Sequence, residues 1–189
     1  MAISQAEAAS ALREVDATTA RTIEARAYNY ASPHLLLWGA VWIVGYAAMG
    51  VRPMEEWGFI WMALDFAGVA GSAAIGAHAR TLARPAAVRP PSLGALVVSL
   101  LFIALFVAAV FTVFAPARPE PYLVFPALLL GLVYVVAGSW KMRRFAWIGA
   151  AVFVLAMIGF LMLKPYLAFW IAAVGGGGLV LGGLWLRKV

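Results

Sequence analysis

The chain has 189 residues, 65% of them hydrophobic and only 12% charged, with a mean hydropathy of +0.94; soluble globular domains carry roughly 25% charged residues, so a water-soluble domain is excluded. A net charge of +6 and a pI of about 10.1 would suit nucleic acid, but the basic residues are scattered over short inter-helix loops instead of forming one stripe. They read as topology signals, and no nucleic-acid partner is expected. The absence of cysteine removes disulfide frameworks, thiol nucleophiles, Fe–S centres and Cys-based zinc sites.

Residues 1–31 are expected to form an N-terminal cytoplasmic amphipathic helix, water-facing or lying at the interface. Ser4-Gln5-Ala6-Glu7 fits a capping box, Ser at the N-cap and Glu three positions on. Leu12, Val15, Thr19, Ile23, Ala27 and Tyr30 recur at spacings of three and four and give a thin apolar stripe. Glu7, Glu14, Asp16 and Glu24 outnumber Arg13, Arg21 and Arg26, a poor balance for anchoring to anionic lipid. The segment reads either as a solvated helix packed beneath its own bundle or as a partner-binding arm. Few contacts to the apolar spans are implied, so deletion of residues 1–28 should leave the bundle folded.

Residues 32–189 are expected to be an all-α integral membrane protein, a six-helix transmembrane bundle. Ser32-Pro33 supplies an N-cap and a first-turn proline. Spans follow at about 34–51, 57–78, 93–115, 122–140, 145–163 and 166–186, each near the length that crosses about 30 Å of hydrocarbon. No cleavable leader is read, because the first long apolar run begins only near His34 and follows a segment carrying both acids and bases. The turns Arg52-Pro53, Arg118-Pro119 and Lys164-Pro165 each close one span and open the next, which suggests three helical hairpins. With six crossings, one side holds Arg13, Arg21, Arg26, Arg80, Arg84, Arg89, Lys141, Arg143, Arg144, Arg187 and Lys188, and the other only Arg52, Arg118 and Lys164. Short cytoplasmic loops carry the Lys/Arg excess, so the reading is a multi-pass inner-membrane protein with both termini cytoplasmic.

The second span places a carboxylate, Asp65, inside a bilayer-length apolar helix. At about 100° per residue, Gly58, Trp61, Asp65, Gly68, Ser72, Gly76 and Ala79 share an arc of roughly 80°, while Phe59, Met62, Phe66 and Val69 lie off it. That polar and small face should meet other helices. Asp65 sits about 12 Å from the outer end of its helix with no intramembrane Lys or Arg to pair with. Tyr46, Ser72, Ser99, Thr112 and Tyr134 are the available polar neighbours. An intramembrane ionisable group is by default a functional candidate: Asp65 is either an ion- or proton-handling group or a neutral acid bonding between helices or to a partner.

The sixth span carries Gly175-Gly176-Gly177-Gly178 near its middle, followed by Gly182-Gly183. Glycine costs about 1 kcal/mol relative to Ala in a helix interior, so the tract is either a helix break near the midplane or a packing groove, for which Gly178-x-x-x-Gly182 has the right spacing. If it is a groove, Gly178→Leu should disrupt more than Gly183→Leu. His34 and His78 fall at one membrane depth and are weak candidates for a metal or haem, but two imidazoles without a carboxylate make a poor site, and no cofactor is expected. The sequence holds no Walker loop, dinucleotide fingerprint, paired metal-binding His motif or GxSxG elbow, so no enzyme is expected. Two functions remain. The first is a structural, accessory or partner-binding membrane protein that contacts a second copy of itself, or a membrane or cytoplasmic partner, through its N-terminal helix and small-residue faces. The second is a small proton- or ion-coupled transporter or channel using Asp65 and a glycine-broken sixth helix.

Overall fold

The computed structural model describes residues 5–82, 93–140 and 142–188. All of the described regular structure is helical: α1 (Gln5–Val51), a 3₁₀ turn (Met54–Glu56), α2 (Trp57–Leu82), α3 (Leu93–Phe114), α4 (Glu120–Trp140) and α5 (Arg143–Met162). A second 3₁₀ turn (Lys164–Tyr166) leads into a last span built from α6 (Leu167–Ile171), a π-helical segment (Ala172–Gly176) and α7 (Gly177–Leu186). The chain is a multi-pass helical membrane protein. Five helices are long and apolar enough to cross a bilayer: Ser10–Val51, Met54–Ala79, Glu120–Ser139, Arg143–Met162 and Lys164–Leu186. The expected third span, α3, does not qualify over its described residues, where the apolar stretch Leu101–Phe114 is too short.

The main departure from expectation is at Ser32-Pro33, where no helix begins. α1 is one helix of 47 residues with Pro33 inside it. A proline removes one helical hydrogen bond, and neighbouring helices make that tolerable within a membrane protein. Here Ser32 is buried against the last span instead of capping. The expected capping box at Ser4 lies outside the described residues.

α1 is the centre of the bundle. It packs along α7 and the π segment on one side and along α2 on another, while α4 and α5 form a close antiparallel pair that also meets the last span. Two buried clusters fill the interior. One joins Tyr46 and Met49 of α1 to Leu123, Val124 and Ala127 of α4, Val152 and Ala156 of α5, and Leu167 and Ile171 of α6. The other, at the opposite end, joins Tyr28 and Leu35 to Phe145, Ile148, Leu179 and Leu186. α2 lies at the periphery against α1. α3 reaches α4 through aromatic rings, with Phe111 4.5 Å from Tyr122 and 5.5 Å from Phe125 between centroids. Ala115 ends α3 at φ 36°, a left-handed residue of the sort that closes a helix.

Glycine sets the helix separations. A Cβ on Gly39 would meet Val180 Cγ2 at 2.7 Å and Gly176 O at 2.8 Å, and one on Gly176 would meet Ile43 N at 2.7 Å. On the α4–α5 face, a Cβ on Gly131 would lie 2.9 Å from Gly149 O, and one on Gly149 would lie 2.7 Å from Val135 N. Small residues let backbones touch, and in lipid that van der Waals contact replaces the hydrophobic drive between helices.

Candidate functional site

The expected polar face of α2 is divided by the structure. Gly68 and Ser72 are buried against α1: a Cβ on Gly68 would touch the Trp38 ring at 3.0 Å, and Trp38 Nε1 donates to Ser72 Oγ at 3.1 Å. Trp61 is half-buried; its ring lies edge-on to Tyr46 at 5.2 Å, and its Nε1 points to Met49 Sδ at 3.0 Å. Trp42 continues the stack, 5.4 Å from Tyr46. Gly76 has open space apart from the Tyr30 hydroxyl at 3.9 Å.

Asp65 does not join this interface. It is exposed on the outer surface of α2. Beside it, Met62 is 63% and Phe66 77% exposed. Of the face expected to meet other helices, Gly68 and Ser72 do so within this chain, while the Asp65 side chain is exposed. At about 100° per residue Asp65 lies roughly 20° from Ser72 around the helix, at the edge of the strip that α1 covers. Tyr134 is not brought to Asp65 either; it stacks edge-on against Phe145 at 5.3 Å. The Thr112 hydroxyl donates to Ala108 O of its own helix, and the Ser99 side chain lies outside the described residues. An ion pair, Arg52–Glu56, lies on the surface near the start of α2.

The glycine tract lies in one run of helical segments and packs at several of its positions, though not closely at Gly178. Ala172–Gly176 widen into a π segment, the form in which one extra residue is accommodated inside a continuous helix. Gly175 and Gly176 are the tight positions, the former 3.0 Å from the Trp42 ring by its would-be Cβ. Gly177 has nothing within 4 Å, and Gly178 meets only Val152 Cγ2 at 3.4 Å. A Cβ on Gly182 would lie 2.8 Å from Ile148, and one on Gly183 would lie 3.0 Å from Leu36 and 3.1 Å from Ser32 O. The expected order of Gly178 and Gly183 is thereby reversed, because Gly183, not Gly178, faces α1.

His34 sits within its own helix turn, Nδ1 3.1 Å from Tyr30 O, a geometry in which Nδ1 carries the proton. Among the described residues no three His, Cys, Asp or Glu side chains come together as a metal-holding group.

The structure also assembles a polar lock that the sequence reading did not single out. Ser32 Oγ donates to Gly183 O at 2.8 Å and accepts from Arg187 Nε at 3.1 Å. The Tyr28 hydroxyl donates to Glu24 Oε1 at 2.7 Å and accepts from Arg144 N at 3.3 Å. Arg144 Nη1 donates to Trp185 O at 2.8 Å, and its guanidinium lies 4.9 Å from the Trp185 ring and 5.7 Å from the Tyr28 ring. These contacts tie α1 to the start of α5 and the end of α7. The Glu24/Tyr28 spacing of four was the one available signal. A further isolated feature is Glu120, whose Oε2 is buried without a hydrogen-bond partner in the first turn of α4, where the helix dipole favours an acid.

Comparisons with protein-family models, with curated proteins and with solved structures find no match. Residue by residue, the chain is a helical, apolar membrane protein with no recognisable catalytic constellation among the described residues.

Proposed function

We propose that the chain is a non-enzymatic structural or accessory protein of the inner membrane, with both termini cytoplasmic and its crossings arranged as three hairpins including α3. In this reading it works by assembling, through the Asp65 face of α2, with a further membrane-spanning segment: a second copy of the chain or a membrane partner. One observation carries this. A carboxylate stands on the outer face of a peripheral helix about 12 Å into the span, exposed beside Met62 and Phe66. Polar groups facing lipid are costly and are normally turned to protein or water, so a covering segment is the arrangement that satisfies Asp65. A proton- or ion-coupled transporter would instead need this acid on a wet path inside the bundle, and the buried clusters are formed by apolar and aromatic side chains.

The lack of cysteine makes the test clean. Single cysteines at Met62 and Phe66, on the Asp65 face, and at Val113, exposed on α3, are oxidised in native membranes and in reconstituted vesicles. Met62→Cys and Phe66→Cys should cross-link to a discrete product while Val113→Cys stays single. The absence of any product from both α2 positions in both settings would remove a second copy of the chain as the covering segment.

A further inference from the structure

A groove of about 400 Å³ runs along the outer surface between α5 and the last span, walled by Trp147, Ala151 and Leu155 on one side and Gly178, Leu181 and Trp185 on the other. It exists because Gly178 lacks a side chain there: the nearest atom to a Cβ would be Val152 Cγ2 at 3.4 Å. Every wall residue is apolar or aromatic. The two tryptophans stand at the basic end of the bundle, Trp147 69% and Trp185 41% exposed, as indoles do at a membrane interface.

The mouth at that end is cationic. Arg143 precedes Trp147 by four residues on the same face of α5, and Lys188 follows Trp185 by three. The Arg144 guanidinium is held over the Trp185 ring by its bond to Trp185 O. The Arg143 and Lys188 side chains are exposed and make no hydrogen bond or ion pair among the described residues, only the Lys188 backbone N–H donating to Trp185 O at 3.2 Å. An apolar trough open to lipid and capped by uncommitted cations fits one molecule with both characters. We infer that this groove binds an anionic phospholipid, an acyl chain lying along Gly178 and Leu181 and the headgroup phosphate held by Arg143, Arg144 and Lys188. Basic pockets between spans recognise lipid headgroups in this way. A second copy is the poorer occupant, since a two-fold pairing of this face sets the cations of one copy against those of the other.

The experiment is native mass spectrometry of the purified full chain with phosphatidylglycerol or phosphatidylcholine of identical acyl chains. Two uncommitted cations near a headgroup should favour phosphatidylglycerol by at least about tenfold. The double substitution Arg143→Gln, Lys188→Gln should reduce that preference to about twofold or less, with the thermal transition unchanged. Gly178→Leu fills the trough and should abolish retention of both lipids; if its thermal transition is lost, Ala151→Phe, from the exposed opposite wall, fills the same space. Equal retention of the two lipids by the wild-type chain would overturn the inference. So would retention unchanged in a folded trough-filling variant, including the case in which that variant dissociates a dimer instead.

Discussion

Gly39→Leu is expected to prevent the bundle from closing, with a loss of roughly 3 kcal/mol or more, at or beyond the upper end of ordinary overpacking costs. The reason is backbone contact. The first atom of any side chain at residue 39 would lie within 2.9 Å of Gly176 O, Val180 N and Val180 Cγ2, so relief cannot come from a rotamer change and α1 must move off the last span. Because α1 also carries α2, the displacement reaches the Asp65 face. Gly178→Leu serves as the comparison, since its surroundings are open and it should shift the thermal midpoint in detergent far less. Equal midpoints for the two variants would show that the α1–last span contact does not hold the bundle.

Tyr28→Ala should cost about 3–5 kcal/mol, the range for emptying a buried aromatic site, and that is a large part of the 5–15 kcal/mol by which folded proteins are stable. Tyr28 is 1% exposed, its ring 6.0 Å from Phe145, and its hydroxyl joins Glu24 to the Arg144 backbone. Tyr28→Phe keeps the ring and should cost about 1–2 kcal/mol by leaving the Glu24 and Arg144 partners unpaired. Removal of residues 1–28 should destabilise the bundle to at least the extent of Tyr28→Ala, opposite to the expectation from sequence. Thermal transitions in detergent measure all three, and a truncated chain that melts like the full one would show that the lock contributes nothing.

Much of the fold was legible because bilayer physics leaves a clear mark. Apolar runs of fixed length gave five of the six expected spans, and the exposed Phe59, Met62 and Phe66 were separated from the buried Gly68 and Ser72 by helical periodicity alone. What failed were local signals that tertiary contact overrides. Ser32-Pro33 has the chemistry of a helix start, yet Ser32 is taken by Gly183 and Arg187 from a span about 150 residues further along, and no periodicity records such a pairing. Glycine position was visible, but not glycine direction. Gly39, Gly131 and Gly149, where backbones meet, resemble any other membrane glycine, while the conspicuous Gly177 faces open space and Gly178 only an ordinary contact with Val152. Asp65 was singled out as the anomalous group from its charge within an apolar span. Its exposure was not visible because helical spacing puts it only about 20° from the buried Ser72, and which edge of that face α1 covers is set by tertiary packing.

The assembly proposed for that exposed acid is tested most directly by the mass of the particle extracted from native membranes in detergent-free lipid discs, for the wild-type chain, Asp65→Asn and Asp65→Leu. Asparagine keeps the volume and hydrogen-bonding capacity of a neutral acid, whereas leucine leaves the covering partner unpaired. The account predicts a particle heavier than one 20.2 kDa chain for wild type and Asp65→Asn, and the single-chain mass for Asp65→Leu. A single-chain mass for the wild type, or a heavy particle untouched by Asp65→Leu, would contradict it.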